Sequence, residues 1–262
     1  MTTRIHKLNS IGEMLSFISN TPTNAVFQNE ELSSSRVNNS GWAGTRTWGE
    51  AVELLEKGWT EMATKLESTL KAKTKVNATK KSYRSEFNVV GGNASVPRYL
   101  QGIPTNMVKQ IPVQVKQKVV NVVKDISYNS GVSPQQIIDE SIKALQIVQA
   151  IEATGARVNL SVMDAGSAGD DISIFVIKIK SSNERLNLSK MAFPLVHPSM
   201  LRRFVFALIE TSPIIKHRAY TCGYGSANVK SETIKAQLCP GSILLPKFIP
   251  DVKKTIAELG LK

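Results

Sequence analysis

The sequence is poor in the features that mark secreted and membrane proteins. It has two cysteines among 262 residues, Cys222 and Cys239, and so few thiols are typical of a reducing compartment. A single disulfide between them is the less favoured alternative. No apolar run approaches the ~20 residues that span a bilayer, and residues 1–7 are not followed by the apolar core of a signal peptide. We therefore expect a soluble intracellular protein without a membrane partner.

Acidic residues are also scarce. The chain has 21 Asp and Glu against 33 Lys and Arg, which gives a net charge of +12 and an isoelectric point near 9.7. A surface of this kind attracts polyanions and releases their counterions. Because nucleic acid is the commonest polyanion in cells, the charge predicts DNA or RNA as a partner. The alternative is a basic surface that serves only solubility.

Motifs for catalysis and cofactor binding are missing. The sequence contains no Gly-x-Ser-x-Gly, no Walker loop, no Gly-x-Gly-x-x-Gly and no His-Glu-x-x-His, which are patterns with known mechanisms. Nucleophilic catalysis also needs a Ser or Cys activated by a neighbouring base, and no motif indicates one. The sequence thus favours a non-enzymatic protein and predicts no cofactor.

One acidic stretch is a weak candidate for a metal site. Residues 164–171 are interpreted as a loop between two strands that carries Asp164, Asp170 and Asp171, and such oxygen ligands suit Mg²⁺ or Ca²⁺. The stretch faintly resembles the Asp-x-Ser-x-Ser metal loop of von Willebrand factor A domains, but Gly166 and Ala168 replace the serines. A plain hairpin loop explains the same residues, since Gly and Asp favour turns.

A zinc site is less favoured still. Its ligands would have to come from His197, His217, Cys222 and Cys239. Zinc sites usually use closely paired ligands such as Cys-x₂₋₄-Cys, and only the second histidine and the first cysteine are near each other. Buried cysteines and ordinary histidines are the simpler interpretation.

Helical and strand patterns alternate along the chain. A capping box, Thr47-x-x-Glu50, begins a predicted helix over 47–70, and Ser133-Pro134 begins another that ends near Gly155. Strands are predicted over 111–123, 158–162 and 172–179, a helix over 198–211, a short strand at 242–245 and a last helix over 251–259. This interleaving predicts an α/β or α+β fold, with helices packed on a mixed sheet.

The first 40 residues are predicted to be an accessory segment. Apolar residues from Ile5 to Ile18 have the spacing of a short amphipathic helix, and the Ser- and Asn-rich stretch that follows is typical of a linker. Residues 41–262 are predicted to form a single globular domain.

The most basic window, residues 71–84, has six positive charges and no negative one. It is predicted to be a loop that contacts phosphates through its cations and stacks a base on its tyrosine. The alternative is a solvated loop that binds nothing. The predicted nucleic-acid-binding residues are Lys71, Lys73, Lys75, Lys80, Lys81, Tyr83 and Arg84.

Two further groups have alternative interpretations. Arg202 and Arg203 could hold a phosphate or carboxylate, but we favour solvated groups beside a core helix. Trp42, Trp48 and Trp59 could anchor an interface, but the last two lie on the apolar stripe of their predicted helix, which favours the core.

Three sequence blocks resemble an uncharacterised family of tailed-phage and prophage proteins. They are Trp42-Ala-Gly-Thr-Arg-Thr-Trp48-Gly-Glu-Ala51 followed by Gly58-Trp59, Val96-Pro-Arg-Tyr-Leu-Gln-Gly-Ile-Pro-Thr-Asn-Met107, and Phe193-Pro-Leu-Val-His-Pro-Ser-Met-Leu-Arg-Arg-Phe204. The resemblance implies a phage or mobile-element product that acts in the cytoplasm of a bacterial host or in the virion. It implies no catalytic residue.

Together these observations predict a non-enzymatic, phage-encoded basic accessory protein that binds nucleic acid. A structural, assembly or host-directed interaction protein, with a protein partner or as a homo-oligomer, is the alternative. A divalent-metal-dependent enzyme that uses residues 164–171 is a weaker one.

Overall fold

The computed structural model describes residues 2–27, 32, 34, 40–73, 83–112, 118–168, 170–215 and 227–260, and of residues 26, 71–73, 112 and 168 it describes the backbone alone. Its internal contacts divide the chain into two compact units. The main unit comprises residues 1–76 and 119–262, and the smaller unit comprises residues 77–118.

The described residues form two sheets and a set of helices. The strands are β1 (Thr2–Leu8), β2 (Tyr83–Asn88), β3 (Asn93–Ala94), β4 (Met107–Pro112), β5 (Val119–Asp125), β6 (Arg157–Ala168), β7 (Asp171–Lys180) and β8 (Ile243–Leu245). The helices are α1 (Ile11–Asn20), α2 (Ser40–Ala43), α3 (Trp48–Lys57), α4 (Thr60–Lys73), α5 (Val96–Leu100), α6 (Pro134–Ala153), α7 (Leu188–Val196), α8 (Phe206–Thr211), α9 (Ser231–Gln237) and α10 (Val252–Glu258). A 3₁₀ turn spans Ala25–Phe27 and a π-helical segment spans Met200–Val205.

The main unit contains a mixed five-stranded sheet in the order β1-β7-β6-β5-β8. β5 runs parallel to both β6 and β8, β1 runs parallel to β7, and β6 and β7 form an antiparallel pair. Apolar residues on one face of the sheet join α1, α3, α4, α6 and α7 in a large core, while those on the other face pack with Ile234 of α9. The predicted α/β or α+β fold is confirmed.

Several local predictions hold because their signals lie within the element itself. Helix α6 begins at Ser133-Pro134 as predicted: Ser133 is its N-cap and forms a capping box with Gln136, and Pro134 lies in the first turn. β7 is buried along nearly its whole length, as its continuous apolar sequence predicts. The short strand β8 and the last helix α10, capped by Asp251, also occur where they are predicted.

The N-terminal helix prediction is wrong at its start. Residues 2–8 form strand β1, which pairs with β7, and only residues 11–20 are helical, with Ser10 as the N-cap. Pairing with β7 determines the strand, so tertiary contacts outweigh the helical spacing that begins at Ile5. The domain boundary predicted at residue 40 stays a prediction, because it concerns which segments fold independently.

The helix predicted over 47–70 is two helices that meet at Gly58. This glycine has a φ of +86°, and a Cβ built on it would lie 2.7 Å from Ser189 Oγ and 3.0 Å from Ser189 O. The amide N–H of Trp59 donates to the same Ser189 carbonyl at 3.2 Å. The backbone of α7 therefore approaches this glycine closely, which a larger residue would prevent.

Two other boundaries differ from their predictions. The strand predicted over 111–123 is wrong, since β4 ends at Pro112 in one sheet and β5 begins at Val119 in the other. The loop predicted over 164–171 is wrong as well, because β6 continues to Ala168 and β7 begins at Asp171. The helix predicted over 198–211 includes the π-helical segment before α8.

The smaller unit is an antiparallel three-stranded sheet in the order β2-β4-β3, with α5 between β3 and β4.

Within the described part of the chain, no single helix combines the length and apolarity needed to cross a bilayer.

Candidate nucleic-acid interface

Alternation along β2 separates its side chains onto two faces of the small sheet. Tyr83, Ser85 and Phe87 share one face, because every second residue of a strand points the same way. Ser85 lies opposite Gln110 of β4, and the Gln110 side-chain amide donates to the Ser85 hydroxyl at 2.9 Å. This face, which we call the aromatic face, also carries Val108 opposite Phe87.

The two rings of the aromatic face are open to solvent. Tyr83 is 51% exposed and Phe87 is 48% exposed. The guanidinium carbon of Arg98, on α5, lies 4.2 Å from the centre of the Phe87 ring. The aromatic face therefore combines two accessible rings with one stacked cation, an arrangement that suits bases and phosphates.

The other face of the same strand is polar and partly charge-balanced. Arg84 Nη2 and Glu86 Oε1 form an ion pair of 2.7 Å, and Lys109 of β4 lies opposite Glu86. Tyr83 and Arg84, which are both predicted to contact nucleic acid, point to opposite faces because they are adjacent in a strand. The cation that accompanies the rings is instead Arg98.

The smaller unit buries little of its apolar surface. None of the described side chains from 83 to 111 is classed as buried. Large apolar side chains that are exposed in this unit are Tyr83, Phe87, Val89, Val90, Val96, Tyr99 and Leu100. Small sheets normally need an apolar face packed on something else for stability, and exposed apolar patches commonly mark binding surfaces.

Positive charge is concentrated in the same unit. Residues 77–118 contain seven Lys or Arg and one acidic residue, Glu86, which amounts to +6 of the chain's +12. Half of the net charge thus belongs to a short segment that also exposes most of the apolar side chains described in it.

The predicted lysines lie largely outside the described side chains. Lys71 and Lys73 belong to the last turn of α4, where only the backbone is described, and Lys75, Lys80 and Lys81 lie outside the described residues. The sequence reasoning missed Phe87 and Arg98. The alternation of Tyr83, Ser85 and Phe87 was a usable signal for the first, whereas the second depends on how α5 folds back onto β2.

Asp164 lies apart from the other two aspartates of the weak metal candidate, Asp170 and Asp171, which are adjacent in the chain. Asp164 is buried within β6 opposite Phe175, while Asp171 begins β7 opposite Ala168. Four residues of strand separate these positions, a distance of about 13 Å. Asp171 pairs with Arg4 at 3.2 Å, and no group of three possible metal-binding acidic, His or Cys residues occurs among the residues that the structure describes.

Of the four candidate zinc ligands, only His197 and Cys239 are among the described residues. His197 is buried between Phe193, which stacks on it at 4.7 Å, and Trp59, which meets it edge-on at 4.7 Å. Its Nδ1 accepts from the amide of Ser199 at 3.1 Å, and burial lowers the pKa of His197 to about 4. Cys239 is an exposed free thiol, while His217 and Cys222 lie outside the described residues.

The preferred interpretation of Arg202 and Arg203 as solvated groups is wrong. Their exposed fractions are 1% and 0%. Arg202 donates to the carbonyl of Val132 at 2.6 Å and to that of Trp42, and its guanidinium lies 4.7 Å from the Trp42 ring. Burial lowers the pKa of Arg202 to about 10. Because backbone carbonyls accept their hydrogen bonds, these arginines fasten Ser34, Trp42 and Thr45 to the core.

Trp48 and Trp59 are part of the core packing, as the favoured interpretation predicts. Trp48 and Trp59 pack against the large apolar cluster, and the Trp48 ring lies 4.8 Å from that of Phe204. Trp42 Nε1 donates to the carbonyl of Ser130 at 3.1 Å.

Three buried polar side chains, Lys124, Asp125 and Ser127, lie at the carboxyl end of β5. α/β proteins often bind ligands at the carboxyl ends of their strands. Lys124 Nζ donates to the carbonyls of Pro246 and Lys247 at 2.6 and 2.7 Å, and burial lowers its pKa to about 8. Asp125 accepts from the Ser127 amide at 2.8 Å and from its hydroxyl, and burial raises the Asp125 pKa. The Ala165 amide donates to Ser127 Oγ at 3.1 Å. These bonds fasten β5 to its neighbours β6 and β8.

Comparison with known proteins gives a family and no individual relative. No curated protein and no solved structure matches the chain. One family model, described as a domain of unknown function (DUF7192), matches residues 2–260. Since this match covers nearly the whole sequence, the chain belongs to that uncharacterised family.

Proposed function

We propose that this protein is a non-enzymatic nucleic-acid-binding protein and that its smaller unit provides the contact surface. The observation that carries the proposal is the coincidence of charge and exposed rings in residues 77–118, which hold half of the net positive charge. Cations supply affinity for phosphates, and accessible rings supply stacking surface for bases.

A basic surface that serves only solubility explains less. It accounts for the lysines, but it gives no reason to expose Phe87 under the guanidinium of Arg98 at 4.2 Å. Exposed aromatic area is unfavourable in water by about 25 cal/mol per Å². A ligand that covers the aromatic face would recover this free energy.

We also propose that the family is one of tailed-phage and prophage proteins and that this member acts in the bacterial host cytoplasm or in the virion. The three sequence blocks that begin at Trp42, Val96 and Phe193 support the proposal. Mapping the genes that flank family members would test it. Neighbours that encode capsid, tail or integrase proteins are expected, and housekeeping neighbours throughout would contradict it.

The binding experiment uses the full chain with labelled DNA and RNA, single- and double-stranded, over a salt series. Micromolar or tighter binding that weakens steeply with salt is expected. Replacement of Lys80, Lys81, Lys109 and Lys118, four lysines of the smaller unit, by Gln should weaken binding and reduce the slope of log K against log salt by about 3 if all four contact phosphates.

A matched variant controls for the loss of four charges. Lys230, Lys235, Lys253 and Lys254 are exposed lysines of the main unit, so their replacement by Gln changes net charge equally but leaves residues 71–118 intact. This control should bind nearly as tightly as the unchanged protein. Equal weakening of both variants would show that net charge alone drives binding, and no binding at low salt would refute the proposal.

A second candidate function is assembly, either with itself or with a phage or host protein. The exposed apolar residues of the smaller unit favour it, because Leu100 and Val90 are 78% and 72% exposed. Sedimentation over a wide range of protein concentration tests self-association. A species that stays monomeric throughout would contradict a homo-oligomer formed through this surface.

A further inference from the structure

We infer that the aromatic face binds single-stranded polynucleotide by stacking bases on Tyr83 and Phe87. This inference rests on the proposed function and narrows it to one class of nucleic acid. The two rings lie on the same face of β2, four residues apart, which corresponds to about 13 Å along the strand.

Accessibility of the ring faces is the reason for choosing single strands. In a duplex each base is already stacked on its neighbours and paired, so aromatic side chains on a flat sheet have no base face to contact. Unpaired bases present that face, and stacking on aromatic side chains is a common way of binding them. Rings with exposed fractions of 51% and 48% therefore match a single strand better than a helix.

Arg98 adds charge at the stacking position. Its guanidinium already lies against Phe87, and its Nη2 donates to Thr105 Oγ1 at 3.3 Å, which helps to hold it there. A guanidinium can stack on a base and also pair with phosphate oxygens. Between the two rings, the Ser85 and Gln110 pair is small and polar, so it leaves the space above the sheet open to a strand.

The charge of the unit complements a polynucleotide better than it does an average protein surface. Residues 77–118 have a net charge of +6, and Lys109 and Lys118 are exposed among the described residues. Stacking tolerates any base and either sugar. The common chemistry is hence an unpaired polynucleotide, and DNA and RNA are separate arms of the test.

The experiment compares fluorescein-labelled oligo(dT), oligo(rU) and a mixed-sequence DNA duplex, each of roughly 20 units so that more than one site can be covered. The variants are Tyr83→Leu, Phe87→Leu and the double variant, which keep an apolar side chain and the net charge but remove the ring. Each single change should weaken single-strand binding about 10-fold, because stacking contributes roughly 1–3 kcal/mol per base.

Two controls separate stacking from other effects. Phe248→Leu removes an aromatic residue of the main unit that is also 51% exposed, and it should leave affinity unchanged. Tyr83→Trp keeps a stacking ring and should preserve or raise affinity. The salt dependence of the Leu variants should equal that of the unchanged protein, since no charge is altered.

The possible results distinguish the inference from the proposed function. Binding that weakens only for the single strands in the Leu variants supports the inference. If the double variant binds as before while the four-lysine variant is weakened, stacking is refuted and nucleic-acid binding stands. Equal affinity for duplex and single strands also refutes it. If no polynucleotide binds, both the inference and the proposed function fail. If the double variant dissociates a homo-oligomer without changing polynucleotide binding, the inference alone fails.

Discussion

Arg203 is joined to Thr45 by two hydrogen bonds, from Nε to Oγ1 at 2.7 Å and from Nη2 to the carbonyl oxygen at 2.6 Å. A third bond runs from Nη1 to the carbonyl of Ser34 at 2.8 Å, and the Ser34 amide donates to Glu210 at 3.1 Å. One buried guanidinium thus connects two segments that precede α3 with the helical region that follows α7.

Arg203→Lys should destabilise the protein by about 3 kcal/mol or more, because an ammonium cannot reproduce the planar fork and leaves buried acceptors unpaired. Urea unfolding followed by circular dichroism measures the change. Arg4→Lys is the control, since Arg4 is partly exposed and pairs with Asp171 at 3.2 Å, and its cost should stay below about 1 kcal/mol. Equal costs would contradict the role assigned to Arg203.

Gly58→Ala should destabilise the protein by about 2–4 kcal/mol, from the positive φ and the contact of the new Cβ with the Ser189 backbone. Gly49→Ala, in the first turn of α3, meets nothing closer than 4.0 Å and should be neutral or stabilising by up to about 1 kcal/mol. Thermal melts of the pair test this. A neutral Gly58 variant would mean that α7 can move away from the glycine.

Stability should fall as the pH is lowered from about 6.5 to 4, and His197 is the reason. Its pKa is lowered to about 4 by burial, so in this window the unfolded chain takes up a proton that the folded chain does not. The neutral His197 side chain therefore contributes up to about 3 kcal/mol to the free energy of unfolding. This contribution is fully present above pH 6.5 and is lost below pH 4.

His197→Phe isolates that contribution. The variant keeps a ring between Phe193 and Trp59 but loses the acceptor for the Ser199 amide, which costs about 1–3 kcal/mol at pH 7. Chemical unfolding at several pH values should then show a shallower loss of stability between pH 6.5 and 4 than in the unchanged protein. Parallel pH profiles would assign the effect to other groups.

Ser127→Ala should destabilise the edge of the main sheet by about 1–3 kcal/mol, because Ser127 joins the Asp125 carboxylate to the Ala165 amide and both would lose a buried partner. Ser130→Ala, an exposed change three residues later, should stay within about 0.5 kcal/mol. Hydrogen exchange at the Ala165 amide tests this locally, because the amide should exchange faster once its acceptor, Ser127 Oγ, is removed. Unchanged protection of that amide would contradict a stabilising role for the bond.

Elements with local signals could be predicted from the sequence, while those fixed by distant partners could not. The start of α6 follows from Ser133 and its neighbours alone, and the burial of β7 follows from its own run of apolar residues. β1 becomes a strand only because β7 lies beside it, with Thr2 paired to Asp171. In the same way, Arg202 and Arg203 belong to a residue type that is seldom buried. Their position is explained by the carbonyls that accept their hydrogen bonds, those of Ser34, Trp42, Thr45 and Val132.

Some features of the candidate interface could be predicted from the sequence, while others depend on contacts between distant residues. Charge and Tyr83 are visible in the sequence, so a basic nucleic-acid contact could be predicted near residues 71–84. The separation of Tyr83 from Arg84 onto opposite faces requires knowing that 83–88 is a strand rather than a loop. The contact between Phe87 and Arg98 could not be predicted, because it depends on how the chain folds through β3 and α5 and so places the guanidinium against the ring.

The parallel pairing of β1 with β7 has a consequence for synthesis on the ribosome. The paired residues Thr2 and Asp171 are separated by most of the chain, so β1 must wait for its neighbour through roughly 10–30 seconds of translation at typical rates. β8, at the opposite edge, emerges later still and pairs with β5. Both borders of the main sheet are therefore completed late, and a nascent chain stalled before residue 171 exposes an unpaired strand to its surroundings.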